Sequence, residues 1–244
     1  MAAIKTNKLR KEYKDVVAVD GLDLEIEEGE LFALLGVNGA GKTTTIKMLT
    51  GLTKPTSGDA FIFGHSVVGE PDVIKGMVDI STQETAVARK LTVEENIDFC
   101  AKIAGLGEDE ANAAKKRVTE QFGLEKVAKK QARKLSGGWQ RKLSVALALV
   151  TEPRVLFLDE PTLGLDVIAR RELWNVISSL KGGMTVILTT HYMEEAEALA
   201  DRIGVMKDGR LLFVGAKEEL FAATGAANVE DAFIALVTGG ERNA

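Results

Sequence analysis

"ELFALLGVNGAGKTTT", residues 30–45, decides the fold. Its first half, Glu30 to Gly36, is a continuous apolar run, the pattern of a strand buried on both faces of a parallel sheet. Its second half fits G-x-x-x-x-G-K-[ST], with Gly36, Gly41, Lys42 and Thr43 in the fixed places. A strand that enters a glycine loop and then a helix is the context that gives this motif meaning. Glycines let backbone N–H groups turn inward around a phosphate, and the helix start adds a favourable dipole potential. Asn38, Gly39, Ala40 and Thr44 belong to the same loop. Lys42 is expected to set its ammonium on the outer phosphates. The Thr43 hydroxyl is an oxygen ligand of the kind Mg²⁺ prefers. A helix is expected from Gly41 to about Leu52.

Two further apolar runs repeat this pattern: "RVLFLDE" (154–160) and "MTVILTT" (184–190). Helices are expected after each, over 169–180 and 193–200. A carboxylate that ends a buried strand stands at the carboxyl edge of the sheet, where α/β proteins bind ligands. Asp159 is therefore expected to hold Mg²⁺ through water, and Glu160 to polarise a water toward the γ-phosphate. Ahead of the phosphate loop, Val17, Val19, Leu22, Leu24 and Ile26 alternate with charged residues, as in half-exposed antiparallel strands. From Leu91 to Val150 the pattern is helical, opening on Thr92 and Glu95 at capping-box spacing. The segment Glu108 to Lys130 is helix-prone and broken at Gly123. Asp208-Gly209 reads as a hairpin turn. The tail from Asn228 carries Phe233, Leu236 and Val237 on one helical face. The fold class is thus α/β: a P-loop NTPase core of mainly parallel sheet, an N-terminal antiparallel β subdomain and a helical insert. One domain spans 1–244, with a core at 1–90 and 151–215, a helical lobe at 91–150 and a helical tail at 216–244.

Composition limits the alternatives. A net charge of −5 argues against an electrostatic grip on nucleic acid. The Lys and Arg clusters at 115–117 and 129–134 read as solvated helix faces. The one cysteine, Cys100, allows no internal disulfide and reads as a small buried hydrophobe. The N-terminal residues MAAIKTNKLR lack the apolar stretch of a secretory signal. The longest apolar run, Leu143 to Val150 with Ser144 included, falls well short of the ~20 residues that cross a bilayer.

Phosphate loops alone say only NTPase. A second glycine-rich helix start, "LSGGWQRK" at 135–142, narrows the class. It resembles the signature motif of ATP-binding-cassette (ABC) ATPases, and the resemblance runs through nearly the whole chain in the family's order. Tyr13 stands where the family has an adenine-stacking aromatic; by itself it also reads as an edge-strand aromatic. Gln83 in "STQE" matches the Q-loop. "LFLDEP" matches Walker B with the catalytic glutamate, "GLD" (164–166) the D-loop, and "TTH" ends in the switch histidine, His191. The signature departs from the family's common form at its fifth position, where Trp139 stands and Gln140 follows.

ATP and Mg²⁺ are the cofactors this resemblance implies. It assigns catalysis to Glu160, His191, Gln83 and Lys42. Nucleotide binding falls to Tyr13, Gly36, Asn38, Gly39, Ala40, Gly41, Lys42, Thr43 and Thr44, with Ser136, Gly137, Gly138 and Asp166. Thr43, Gln83 and Asp159 would hold the metal. The resemblance further implies a head-to-tail dimer, homomeric or with a homologous ATPase, in which the signature of one subunit covers the γ-phosphate held by the other. Separate membrane permease subunits would dock near Gln83 to Phe99, at the cytoplasmic face of the membrane, and no nucleic acid is expected as partner. The stretches "HYMEEAEALADRIGVMKDGRLLFVG" and "NVEDAFIALVTG" are most similar to the short ATPases of ABC-2-type exporters. The competing class is a non-transport ABC ATPase acting on ribosomes or DNA. Such proteins carry paired cassettes or coiled-coil insertions, whereas one cassette and no heptads are visible here.

Overall fold

A computed structural model describes residues 1–239. The chain opens with β1 (Ala2–Tyr13), β2 (Val16–Leu22) and β3 (Glu25–Glu27), all antiparallel to one another where they pair. The first strand is longer than the alternation alone predicts. Register shifts along β1 bend it, so that it serves β2, β3 and later β5 in turn. Next come β4 (Leu31–Leu35) and helix α1 (Lys42–Leu49). This helix stops short of Leu52 because Gly51, at φ +70°, turns the chain away. β5 (Ser57–Ile62) and β6 (His65–Ser66) complete the antiparallel sheet, in the order β2-β1-β5-β6 with β3 beside β1.

A short α2 (Pro71–Lys75) and β7 (Val78–Ser81) lead to three helices: α3 (Val93–Ile103), α4 (Glu108–Phe122) and α5 (Gly137–Leu147). The capping box of α3 forms: Glu95 N–H donates to Thr92 Oγ1, and Thr92 N–H donates to Glu95 Oε2 at 2.7 Å. Gly123, at φ +63°, ends α4. Then follow β8 (Val155–Asp159), α6 (Val167–Ser178), β9 (Thr185–Thr190), α7 (Met193–Leu199), β10 (Arg202–Lys207), β11 (Arg210–Gly215), α8 (Lys217–Thr224) and α9 (Val229–Val237). The start of α6 precedes the apolar pattern by two residues because Asp166 caps it, its Oδ1 accepting from the N–H groups of Ile168 and Ala169.

The central sheet runs β11-β10-β4-β9-β8-β7, parallel except for the β10–β11 hairpin. Alternation along its strands divides the core. Phe32 and Leu34 of β4, with Val155 and Phe157 of β8, face α1 and the antiparallel sheet. Leu156 and Leu158 of β8 face the helical lobe. Ala33 and Leu35 face α7, α8 and α9. Phe233 is buried against that third cluster, with Leu236 and Val237 packed on it. Among the described residues no single helix is long and apolar enough to cross a membrane. The β10–β11 turn reaches over the phosphate loop, where Gly209 N–H donates to the Ala40 carbonyl at 3.0 Å and the Gly209 carbonyl accepts from Asp20 N–H at 2.8 Å.

Candidate active site

The carboxyl ends of β4, β8 and β9 meet at one edge of the central sheet, and each delivers functional residues there. The loop from β4 to α1 passes Gly41 at φ +105°. A side chain there would lie 2.4 Å from the Ala18 carbonyl, so only glycine fits. A cavity of 590 Å³ opens over this loop, lined by Tyr13, Ala18, Asn38 to Thr44, Gln83, Glu160, Leu163 and His191. Tyr13 is half exposed on its wall.

Buried Lys42 donates from Nζ to the carbonyls of Gly36 (2.7 Å) and Val37 (3.3 Å), and its Nζ lies 3.3 Å from Glu160 Oε1. The other Glu160 oxygen, Oε2, is 2.5 Å from His191 Nδ1. Asp159 Oδ1 accepts from the hydroxyls of Thr43 (3.1 Å) and Thr189 (2.5 Å). Glu160 itself has φ +51°, a conformation that costs an L residue energy unless its surroundings hold it. Its N–H bonds to Thr189 at the tip of β9, both carbonyl and hydroxyl at 3.1 Å.

Not every residue the resemblance assigned to the nucleotide lies in this cavity. Gly36 is beneath it, accepting from Lys42. Asp166 is turned from it: its carboxylate caps α6, and it lines a separate groove of 240 Å³ with Ser136, Gly138 and Trp139. Both signature glycines are already inside α5, and Ser136 is its N-cap with no capping bond from its side chain. Gly138 has no room for a side chain, since a Cβ would lie 2.9 Å from Ala169 Cβ on α6. Trp139 packs on the helical core and lies under the Lys142 ammonium, 4.8 Å from the ring centroid, while Lys142 pairs with Glu172 of α6 at 2.6 Å.

Arg141 and Glu195, both buried charges, escaped the reading of the sequence. Arg141 is held by four backbone carbonyls, and burial pulls its pKa down to about 10, so it remains a cation at neutral pH. The signal was a charge one turn before Val145 and two before Ala148 on a buried helix face. Glu195 is fully buried on α7, where its Oε1 accepts from Thr162 Oγ1 (2.8 Å) and Trp174 Nε1 (2.9 Å). Its Oε2 has no partner among the described residues.

Burial pushes the Glu195 carboxyl above the ordinary carboxylate range. A raised folded-state pKa means the folded protein holds this proton more tightly than the unfolded chain. The contribution to stability is complete below the unfolded pKa and lost as pH rises through the folded one. Glu195→Gln is expected to remove that loss and flatten the fall in melting temperature above the carboxylate range. Glu195→Ala strands the buried Thr162 hydroxyl, at about 1–3 kcal/mol, and leaves the half-buried Trp174 N–H without its acceptor. Thermal melts across pH check both; an unchanged pH profile for the Gln variant contradicts the protonation argument.

A glycine loop with its lysine, a hydroxyl beside a strand-end aspartate, and a glutamate bonded to a histidine define a P-loop nucleoside triphosphatase. The helical lobe with its own glycine helix start narrows this further. Residues 19–163, more than half of the chain, match the ABC transporter family model, and the chain belongs to that family. It is 41% identical over 229 residues to the daunorubicin resistance ATP-binding protein DrrA3 of Streptomyces coeruleorubidus, covering 93% of this chain and 72% of that protein. It is 45% identical over 224 residues to human ATP-binding cassette sub-family A member 2, covering 89% of this chain but 9% of that protein. Among solved structures, an ATP-binding subunit of an ABC transporter superposes with a TM-score of 0.85 at 26% identity, covering 96% of this chain and 99% of that one. A dimeric ATP-binding cassette in a post-hydrolysis state, bound to ADP and Pi, superposes with a TM-score of 0.78 at 25% identity, covering 87% and 98%. This chain is an ATP-binding subunit of the ABC transporter type, and an ATPase.

Proposed function

We propose that this chain drives an ABC-2-type exporter, pairing on ATP with a second ATPase subunit beneath separate permease subunits at the cytoplasmic face of the membrane. One observation carries the reading. The cavity that gathers Lys42, Gln83, Glu160 and His191 includes no residue of the signature. Ser136 instead faces solvent, with its hydroxyl free of any capping bond. Each chain therefore offers two halves of a site, and two ATPs lie between partners. Export is supported by the likeness to DrrA3, a daunorubicin resistance protein by name.

The chemistry follows from the residues. Tyr13 stacks on the base, and the loop N–H groups with Lys42 take the phosphates, whose oxygens displace the carbonyls and Glu160 as partners of the ammonium. Freed of Lys42, Glu160 holds a water for attack on the γ-phosphate, with His191 keeping the carboxylate aimed. Thr43, Asp159 and Gln83 offer oxygen donors that fit Mg²⁺. The ion, when bound, neutralises charge on the phosphates. Ser136, with the backbone N–H groups of Gly137 and Gly138, completes the partner's site. Residues 91–150 act as the lobe that relays closure to the permease, and 216–244 as a tail on the core. Its last residues, 240–244, lie outside the described structure.

Purification of the tagged chain from its native membrane is expected to bring down a polytopic membrane protein, with two ATPase copies in each complex. Recovery with ribosomes and no membrane subunit would sink the transport reading.

A further inference from the structure

Arg141 stands one turn into α5 and is 3% exposed. Its Nη2 donates to the Asp159 carbonyl at 2.9 Å and its Nε to the Pro161 carbonyl at 2.6 Å. Nη1 donates to the carbonyls of Thr82 (2.5 Å) and Gln83 (3.2 Å). The first two carbonyls flank Glu160, the residue at φ +51°. The other two belong to the segment that carries Gln83. A planar guanidinium with five donors spans four carbonyls on two segments; a lysine ammonium, a point charge on a flexible stem, does not. Filling the space requires no charge, and burying one has a desolvation cost that an apolar side chain avoids. The arrangement therefore speaks for position rather than packing alone.

We propose that Arg141 is a positioning residue that fixes the Glu160 backbone and the Gln83 segment to the helix beginning at the signature, and so couples one ATP site to the other. The coupling half rests on the shared-site reading above. Ser136 to Gly138 face the nucleotide of the partner, while Glu160 and Gln83 face the chain's own. A rigid tie between them lets closure on one nucleotide set the catalytic geometry around the second.

Steady-state ATPase assays on Arg141→Lys, normalised to nucleotide-competent protein, test this. We expect kcat to fall by about tenfold or more with KM within about threefold of wild type, and the Hill coefficient for ATP to drop toward one. Ser144→Ala is the matched control. It removes another tie between α5 and the same region, the 3.1 Å bond to Ser81, without touching the Glu160 segment. Its kcat and Hill coefficient should stay at wild-type values. If the lysine variant does not fold, Arg141→Gln, which removes the buried charge and keeps amide donors, is read in the same way. Wild-type kcat per competent molecule, or an equal loss in Ser144→Ala, overturns the proposal. ATP-dependent dimers of Glu160→Gln separate the two readings. If those dimers form and Arg141→Lys turns over normally, only the role of Arg141 fails. If they never form, the shared site and the cross-site half fail together, and kcat alone judges the hold on Glu160.

Discussion

Glu160→Gln is expected to bind ATP normally, to lose turnover by roughly 10²–10⁴-fold, the span of general-base catalysis, and to accumulate a dimer when ATP is added. The size of the effect follows from the geometry. One Glu160 oxygen lies against Lys42 and the other against His191, and among the described residues Glu160 is the one carboxylate that lines the cavity beside the phosphate loop. An amide keeps the shape and an acceptor for the ammonium, but cannot take a proton from water. Lys42 also keeps its bonds to Gly36 and Val37, so the fold should tolerate the change. Radioactive phosphate release and size-exclusion chromatography in ATP read the two outcomes. Turnover within threefold of wild type would remove Glu160 from the role of base.

Ser136→Arg acts on the other half of the site. The serine is exposed at the N-cap of α5, and its hydroxyl makes no capping bond. With no capping bond to lose, the main cost to the fold is a cation at a helix start, about 0.3–1 kcal/mol, so the monomer should fold. No residue of the signature lines the nucleotide cavity, so monomer affinity for ATP should stay within about twofold. A bulky cation where the partner's γ-phosphate must arrive should abolish ATP-driven dimers and hydrolysis. Equilibrium binding of a fluorescent ATP analogue, beside sedimentation of the Ser136→Arg, Glu160→Gln double variant, separates the effects. Lost ATP binding by the monomer would place Ser136 within its own chain's site, and the two-half reading would fall.

Much of the core was written locally. The apolar runs at 31–35, 155–159 and 185–190 announce strands buried on both faces, because burial on both sides erases the polar alternation. Phosphate-loop spacing, the Thr92–Glu95 box and the Asp208-Gly209 turn are short-range devices, and each forms as read. Strand order was not legible. It depends on crossovers that place β4 between β9 and β10, from opposite ends of the chain. Arg141 and Glu195 were overlooked for a different reason. Each is a charge on an apolar helix face, and its partners come from segments remote in sequence. Asp166 was legible only as a motif position; that its carboxylate also caps α6, in the groove it shares with Ser136, depends on the local backbone.

The turn between β10 and β11 looks, from sequence, like a permissive surface hairpin. Its Gly209 is in fact stitched to Ala40 of the phosphate loop on one side and to Asp20 of the antiparallel sheet on the other. Gly41 next to it has no spare volume against Ala18. For protein engineering this makes the hairpin tip a poor place to insert a tag or fluorophore. A label there would report nucleotide occupancy only by disturbing it, whereas Ser179, exposed just past the end of α6 at the opposite end of the sheet, offers an attachment point remote from the phosphate loop.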